Sequence, residues 1–184
     1  MKTGLRFVDC DMHIMEPPDL FQTYLDPKFR SRITIPIDSS GKPKRGGAII
    51  DGIPQRADDE IQKYSKPNKP PVGTFSREIS GHLALSGSRM ADSGRLQFAI
   101  DRKYDAEAQV MAMEIEGIDI AVLYPTSGLT LIARNGLDPQ LSLALCEAYN
   151  NWIYDFCQHS PDQLKFVAML PIHDVNLACQ ELLR

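Results

Sequence analysis

Ile118-Asp119-Ile120-Ala121-Val122-Leu123-Tyr124, followed by Pro125-Thr126-Ser127-Gly128, decides how the chain folds. The run is almost wholly apolar and rich in β-branched residues, which reads as a buried strand closed by turn residues. Upstream, Ala106, Val110, Met113 and Gly117 recur at helical spacing, and Gly117 closes that helix as a C-terminal glycine does. Downstream, Asp138-Pro139 is an N-cap with a first-turn proline. The helix behind it carries Leu141, Leu145, Ala148, Trp152 and Phe156 on one face and stops by Ser160-Pro161. Phe166 to Leu170 then reads as a further buried strand closed by Pro171, and Asp174 caps an amphipathic segment from Val175 to Arg184. Apolar strands alternating with amphipathic helices predict a parallel sheet covered by helices, with a βαβ unit over Asp119–Leu170.

Toward the N-terminus, Leu5 to Val8 is a short apolar run expected to form the first buried strand. It leads into Asp9-Cys10-Asp11-Met12-His13-Ile14-Met15-Glu16-Pro17-Pro18. Asp11 and His13 are two apart, so on extended backbone their side chains point the same way. A carboxylate and an imidazole aimed at one point suit a divalent metal. The plain alternative is a strand-end turn with a solvated Asp11 and a packed His13. Pro17-Pro18-Asp19 before Leu20, Phe21 and Tyr24 predicts a short capped helical turn.

Residues 30–100 differ in kind: prolines and glycines break up any long period. Ala48-Ile49-Ile50-Asp51-Gly52 predicts a hairpin with an Asp-Gly turn and a partner strand from Ile53 to Arg56. Ser65 to Thr74, rich in Pro and Lys, reads as extended or mobile. The whole stretch is expected to be an insertion over one face, in the manner of a lid. Lys42, Lys44, Arg45, Lys63, Lys66 and Lys69 read as its solvated surface, and His82 as a loop or lid histidine.

The composition is that of an ordinary globular protein: 184 residues, 43% hydrophobic and 24% charged. A net charge of −4 and a pI near 5.5 give no reason to expect nucleic acid or an anionic membrane as partner. No apolar run reaches the roughly 18 residues of a membrane helix, and MKTGLRF lacks the features of a signal peptide. Cys10, Cys146, Cys157 and Cys179 form no C-x-x-C pair and read as reduced, mostly buried thiols of a cytoplasmic protein.

In parallel α/β folds the chemistry gathers at the carboxyl ends of strands, here Asp9 to Glu16, Pro125 to Gly128 and Pro171 to Asp174. Tyr124, Thr126 and Ser127 at the mouth of the second strand are candidate pocket residues. Glu16 is a candidate third ligand, a carboxylate holding the His13 ring, or a cap of the turn before Pro17-Pro18. Asp9, two residues before Asp11, points into the site or serves the turn. His173 belongs to the same end of the sheet as His13, as a ligand, a loop residue or a supporting group. His159, ending a helix, suits the helix dipole, and Trp152 suits the core.

Taken together, VDCDMHIMEPPDLF, EIEGIDIAVLYPT and FVAMLPIHDVNLACQELLR resemble segments of the amidohydrolase-related family. This is the branch of the amidohydrolase superfamily that contains aminocarboxymuconate-semialdehyde decarboxylase. The likeness covers roughly residues 5–26 and 101–184. It implies a (β/α)8 TIM barrel with one divalent metal at the strand ends, zinc foremost; Asp11, where many members have His or Glu, makes the harder manganese the alternative. It also implies that Asp11 and His13 stand where the family's first strand supplies an [His/Glu/Asp]-x-His pair. The family's further metal histidine and late aspartate come from later strands. Three strands do not close a barrel, which typically takes about 250 residues, and the chain stops at Leu182-Leu183-Arg184 without a terminating signal. The expectation is therefore a partial barrel: residues 1–184 as the N-terminal portion of a longer enzyme, or a shortened relative.

The function so implied is a metal-dependent hydrolase or carboxy-lyase acting on a small carboxylic acid, aromatic or unsaturated, with any further catalytic residue beyond this chain. The alternative is a catalytically silent partial barrel that works as an interaction or homo-oligomerising module, because an incomplete barrel exposes strand edges and an apolar helix face.

Overall fold

A computed structural model describes residues 4–37, 39, 48–54 and 97–184. Along the chain these form β1 (Val8–Ile14), α1 (Leu20–Tyr24), a 3-10 helix (Pro27–Arg32), β2 (Ile33–Thr34), β3 (Ile49–Ile50) and β4 (Ile53–Pro54). From residue 97 onward come α2 (Gln97–Asp101), α3 (Ala106–Glu116), β5 (Ile120–Pro125), α4 (Gly128–Leu131), α5 (Pro139–Cys157), β6 (Leu164–Phe166) and α6 (Val175–Leu183). The expectations for Ser65 to Thr74, for His82, for the lysines and Arg45 of the 42–69 stretch, and for a lid lie outside the described residues.

The described residues fall into two compact units. The first, made of 4–15, 97–126 and 153–167, is built on a three-stranded parallel sheet in the order β1-β5-β6. This is the mixed α/β arrangement that the alternating pattern predicted. One face, with Met12, Ile14, Ala121, Leu123, Pro125 and Leu164, is buried. On the other, His13, Ile120, Val122 and Tyr124 are only half-buried and Val8 and Lys165 are exposed. The strands are thus covered on one side and partly open on the other, where the sequence suggested burial on both. Beside the sheet, α2 and α3 pack through Ala99, Ala108 and Ala112, whose small side chains let the helices approach closely. The N-cap Asp105 accepts the Ala108 N–H, and Gly117 ends α3 at φ 76°.

Two strand boundaries differ from expectation. Leu5 to Val8 is not the buried strand: Leu5, Phe7 and Val8 are exposed, and β1 runs from Val8 through Ile14. The Asp119 carboxylate takes the Phe7 N–H at 2.7 Å, and the Phe7 carbonyl receives the Asp119 and Ile120 N–H groups, so pairing starts only here. Asp11 and His13 therefore lie on the strand itself. The last strand spans Leu164–Phe166 rather than Phe166 to Leu170. Past it, the backbone of Met169 bonds to the side chain of Asn150 instead of to a strand.

The second unit comprises 16–37, 39, 48–54, 127–152 and 168–184. Its predicted hairpin is present, with β3 and β4 antiparallel about Asp51 (φ 52°) and Gly52 (φ 75°), and β2 adds a third strand that the sequence did not suggest. Arg32 secures it, its guanidinium reaching both Asp51 oxygens at 2.7 and 2.8 Å and Asp138 at 2.5 Å. Asp138 itself starts α5 by accepting the Gln140 N–H. From Leu141 to Asn150 this helix is buried on nearly every side, not only along the expected stripe. Its polar Ser142 and Asn150 are accordingly bonded inside the unit. Asp174 caps α6 through the Asn176 and Leu177 N–H groups, as expected.

All four cysteines are free, but only Cys146 and Cys157 are buried, while Cys10 and Cys179 are exposed. Burial pushes the Cys146 thiol up to about 12 and the Cys157 thiol up to about 11. A thiol reagent at neutral pH should therefore modify two cysteines in the folded protein and all four in denaturant. Labelling of Cys146 or Cys157 as fast as Cys10 would contradict this arrangement. No helix among the described residues is long and apolar enough to cross a membrane.

Candidate functional site

The site is built from a defect in β1. Asp9 pairs with Ala121 and Met12 pairs with Leu123, so Cys10 and Asp11 together stand opposite Val122 alone. This is a β-bulge, which bends a strand and re-aims its side chains. Beyond it Met12 and Ile14 enter the buried face, whereas Asp11 and His13 turn to the half-open one, beside Tyr124. The bulge also separates Asp9 from the pair. By register Asp9 lies on the face of Ala121 and Leu123, and its carboxylate accepts the Asp11 N–H at 3.0 Å rather than joining Asp11 and His13. Even spacing in sequence did not survive an extra residue in the strand.

His13 is held by its Nδ1, which lies 2.9 Å from the Pro125 carbonyl. A carbonyl only accepts, so Nδ1 carries the proton and the lone pair of the neutral ring sits on Nε2. Nε2 stands 4.0 Å from Asp11 Oδ1, with the His13 side chain 29% exposed and that of Asp11 80%. The Tyr124 ring flanks the imidazole, with centroids 6.2 Å apart and planes tilted by 48°. An imidazole whose second nitrogen is fixed by a backbone carbonyl is in the state a metal ligand requires. Two donors on a tetrahedral ion with bonds of about 2.1 Å lie about 3.4 Å apart, and a small turn of the exposed Asp11 side chain closes that difference. The pair fits a metal as two of its ligands. Among the described residues, no cluster of three or more His, Cys, Asp and Glu side chains is placed to hold one.

The remaining candidates each have their own surroundings. Thr126 directly follows β5 in the first unit. Glu16, Ser127 and His173 belong to the second. There the two Glu16 oxygens accept the Ser127 N–H at 3.0 Å and the Gly128 N–H at 2.9 Å, satisfying donors at the start of α4 that Ser127 leaves uncapped. His173 donates from Nε2 to the Arg134 carbonyl at 2.7 Å and accepts at Nδ1 from the buried Ser142 hydroxyl at 3.1 Å. Two features of the site were not read from the sequence: the Pro125 carbonyl and the bulge. Proline closing a strand was visible, but its carbonyl acquires a role only when β1 lies alongside.

Neither a protein-family model nor a curated protein matches the sequence. Among solved structures, the chain is similar to a crystal structure of an amidohydrolase from Mycobacterium avium subsp. paratuberculosis K-10, with a TM-score of 0.59 and 18% identity. The match covers 97% of this chain and 45% of that one, so this chain spans less than half of that protein's length. At this identity the likeness concerns the fold.

Proposed function

We propose that the chain is the N-terminal portion of a metal-dependent hydrolase or carboxy-lyase on an amidohydrolase-type (β/α)8 barrel, with an insertion at about residues 30–100. The substrate class is a small carboxylic acid, aromatic or unsaturated, and the location is the cytoplasm. The observation that carries this reading is the His13 ring, fixed through Nδ1 with Nε2 free beside Asp11, at the carboxyl end of a parallel strand. The fold likeness to an amidohydrolase supports it.

Asp11 and His13 are the ligands this chain offers to a divalent ion, zinc by the nitrogen and oxygen donor set, with manganese the harder alternative. Bound there, the ion supplies Lewis acidity that polarises a substrate oxygen or lowers the pKa of a water. The chain's own residues do the rest of the local work. The Pro125 carbonyl keeps the proton of His13 on Nδ1, and Tyr124 presents its ring beside His13 on the same sheet face.

The test is zinc affinity, measured by competition with a coloured chelator, for the protein and for Asp11→Ala and His13→Ala. Each substitution is expected to weaken binding by at least about tenfold, since either removes half of the donor pair. Unchanged affinity in both variants would sink the assignment.

A second reading is favoured by the large apolar side chains left exposed. Leu5, Phe7 and Val8 are 50–65% exposed, and Val175, Leu182 and Leu183 are 68–86% exposed. On this reading the chain is a silent partial barrel that associates with itself through such surfaces. A monomer in sedimentation at concentrations up to about 100 μM, well above a typical specific Kd, would count against it.

A further inference from the structure

We propose that Asp9 is a positioning residue for the Asp11–His13 pair, an inference that rests on the metal-binding reading above. Its basis is the register of β1. Counted without a bulge from the Asp9–Ala121 pairing, Asp11 would stand opposite Leu123 and His13 opposite Pro125. Both would then face the buried side, and Met12 would take the half-open side, because a slip of one residue exchanges the faces of a strand. The extra residue at Cys10–Asp11 reverses this and delivers Asp11 and His13 to the half-open face beside Tyr124.

A bulge takes a backbone N–H out of the ladder, and a side chain that accepts it fixes the local backbone. Asp9 is that side chain: Oδ1 receives the Asp11 N–H at 3.0 Å. The carboxylate therefore holds the local backbone that sets which way the two ligands point, without itself belonging to the donor pair. An acceptor of the same reach is what the position needs, and a negative charge is not.

The experiment compares Asp9→Ala with Asp9→Asn, which keeps the acceptor oxygen and removes the charge. Zinc affinity is expected to fall about 10–100-fold in Asp9→Ala and to stay within the same order of magnitude as the unmodified protein in Asp9→Asn. Amide exchange of Asp11 in metal-free protein gives an independent readout, with protection lost in Asp9→Ala and kept in Asp9→Asn. Undiminished affinity and Asp11 protection in Asp9→Ala would overturn the proposal, as would equal damage in both variants. If the unmodified protein binds no zinc, or binds it equally well without His13, the metal reading fails. The Asp11 exchange then still decides whether Asp9 holds the bulge. Should Asp9→Ala not fold, Asp9→Glu, whose longer arm misplaces the acceptor, takes its place with the same expected losses.

Discussion

Asn150→Ala is expected to destabilise the fold by about 3–5 kcal/mol, because it leaves several buried polar groups without partners at once. The Asn150 side chain acts as a short piece of strand: Nδ2 donates to the Met169 carbonyl and Oδ1 accepts the Met169 N–H, each at 2.8 Å. The same Nδ2 donates to Glu181 at 2.6 Å. Asn150 is 8% exposed and Glu181 6%, so water does not readily replace the lost bonds. Urea unfolding measures the effect; a loss below about 1 kcal/mol, the value of one ordinary hydrogen bond, would show that the network is not needed.

The same cluster carries a pH signature. Burial works to raise the Glu181 carboxyl, but the bonds from Arg184 and Asn150 outweigh it and hold the group below its ordinary value. Its charged form is thus favoured by folding, and the stability it supplies is full above the ordinary glutamate range and lost as pH falls through the depressed value. Glu147 acts in the opposite sense, since burial and the charge of Glu181 raise it, so protonating Glu147 relieves a cost. Removing Asn150 takes away one of the bonds that depress Glu181, so the acid limb attributable to Glu181 should be shallower in Asn150→Ala. Urea midpoints between pH 3 and pH 6, spanning the usual glutamate range near about 4.3, test this.

Ile14→Ala should cost about 2–5 kcal/mol, the usual range for emptying a buried aliphatic site, whereas Asp11→Ala should change stability by no more than about 0.5 kcal/mol. The two residues sit three apart on one strand, yet Ile14 is 1% exposed and the Asp11 side chain 80%. Their effects on metal should be reversed, with zinc affinity falling in Asp11→Ala and surviving in any Ile14→Ala protein that remains folded. Thermal unfolding and zinc titration on the same two proteins check both halves. A large stability loss in Asp11→Ala would mean that Asp11 belongs to the core face and that the bulge is misplaced.

Much of this architecture is written in local patterns. The helices at 106–116, 139–157 and 175–183 announce themselves through caps and stops: Gly117, Asp138-Pro139 and Asp174. Caps are legible because they act over three or four residues. The Asp51-Gly52 hairpin is legible for the same reason, since its turn needs positive φ at both positions. Strand ends were less legible. Where β1 begins depends on Asp119, 112 residues from Phe7, and the Met169 backbone, in the stretch expected to be strand, bonds instead to the Asn150 side chain.

The candidate site divides in the same way. The sequence by itself determined that a carboxylate and an imidazole stand two apart on extended backbone, and that strands and helices alternate around them. Only the tertiary structure decided which way they face. A one-residue bulge, whose freed N–H is taken by Asp9, reverses the parity of the strand, and the Pro125 carbonyl of a neighbouring strand settles which nitrogen of His13 is free. Glu16 and His173, also at strand ends by sequence, have both carboxylate oxygens and both ring nitrogens engaged in their own unit. The physical reason is common to all of these. Side-chain type and spacing are local properties, whereas register and the choice of hydrogen-bond partner depend on which other parts of the chain the fold brings alongside, as far as 112 residues away for His13 and Pro125.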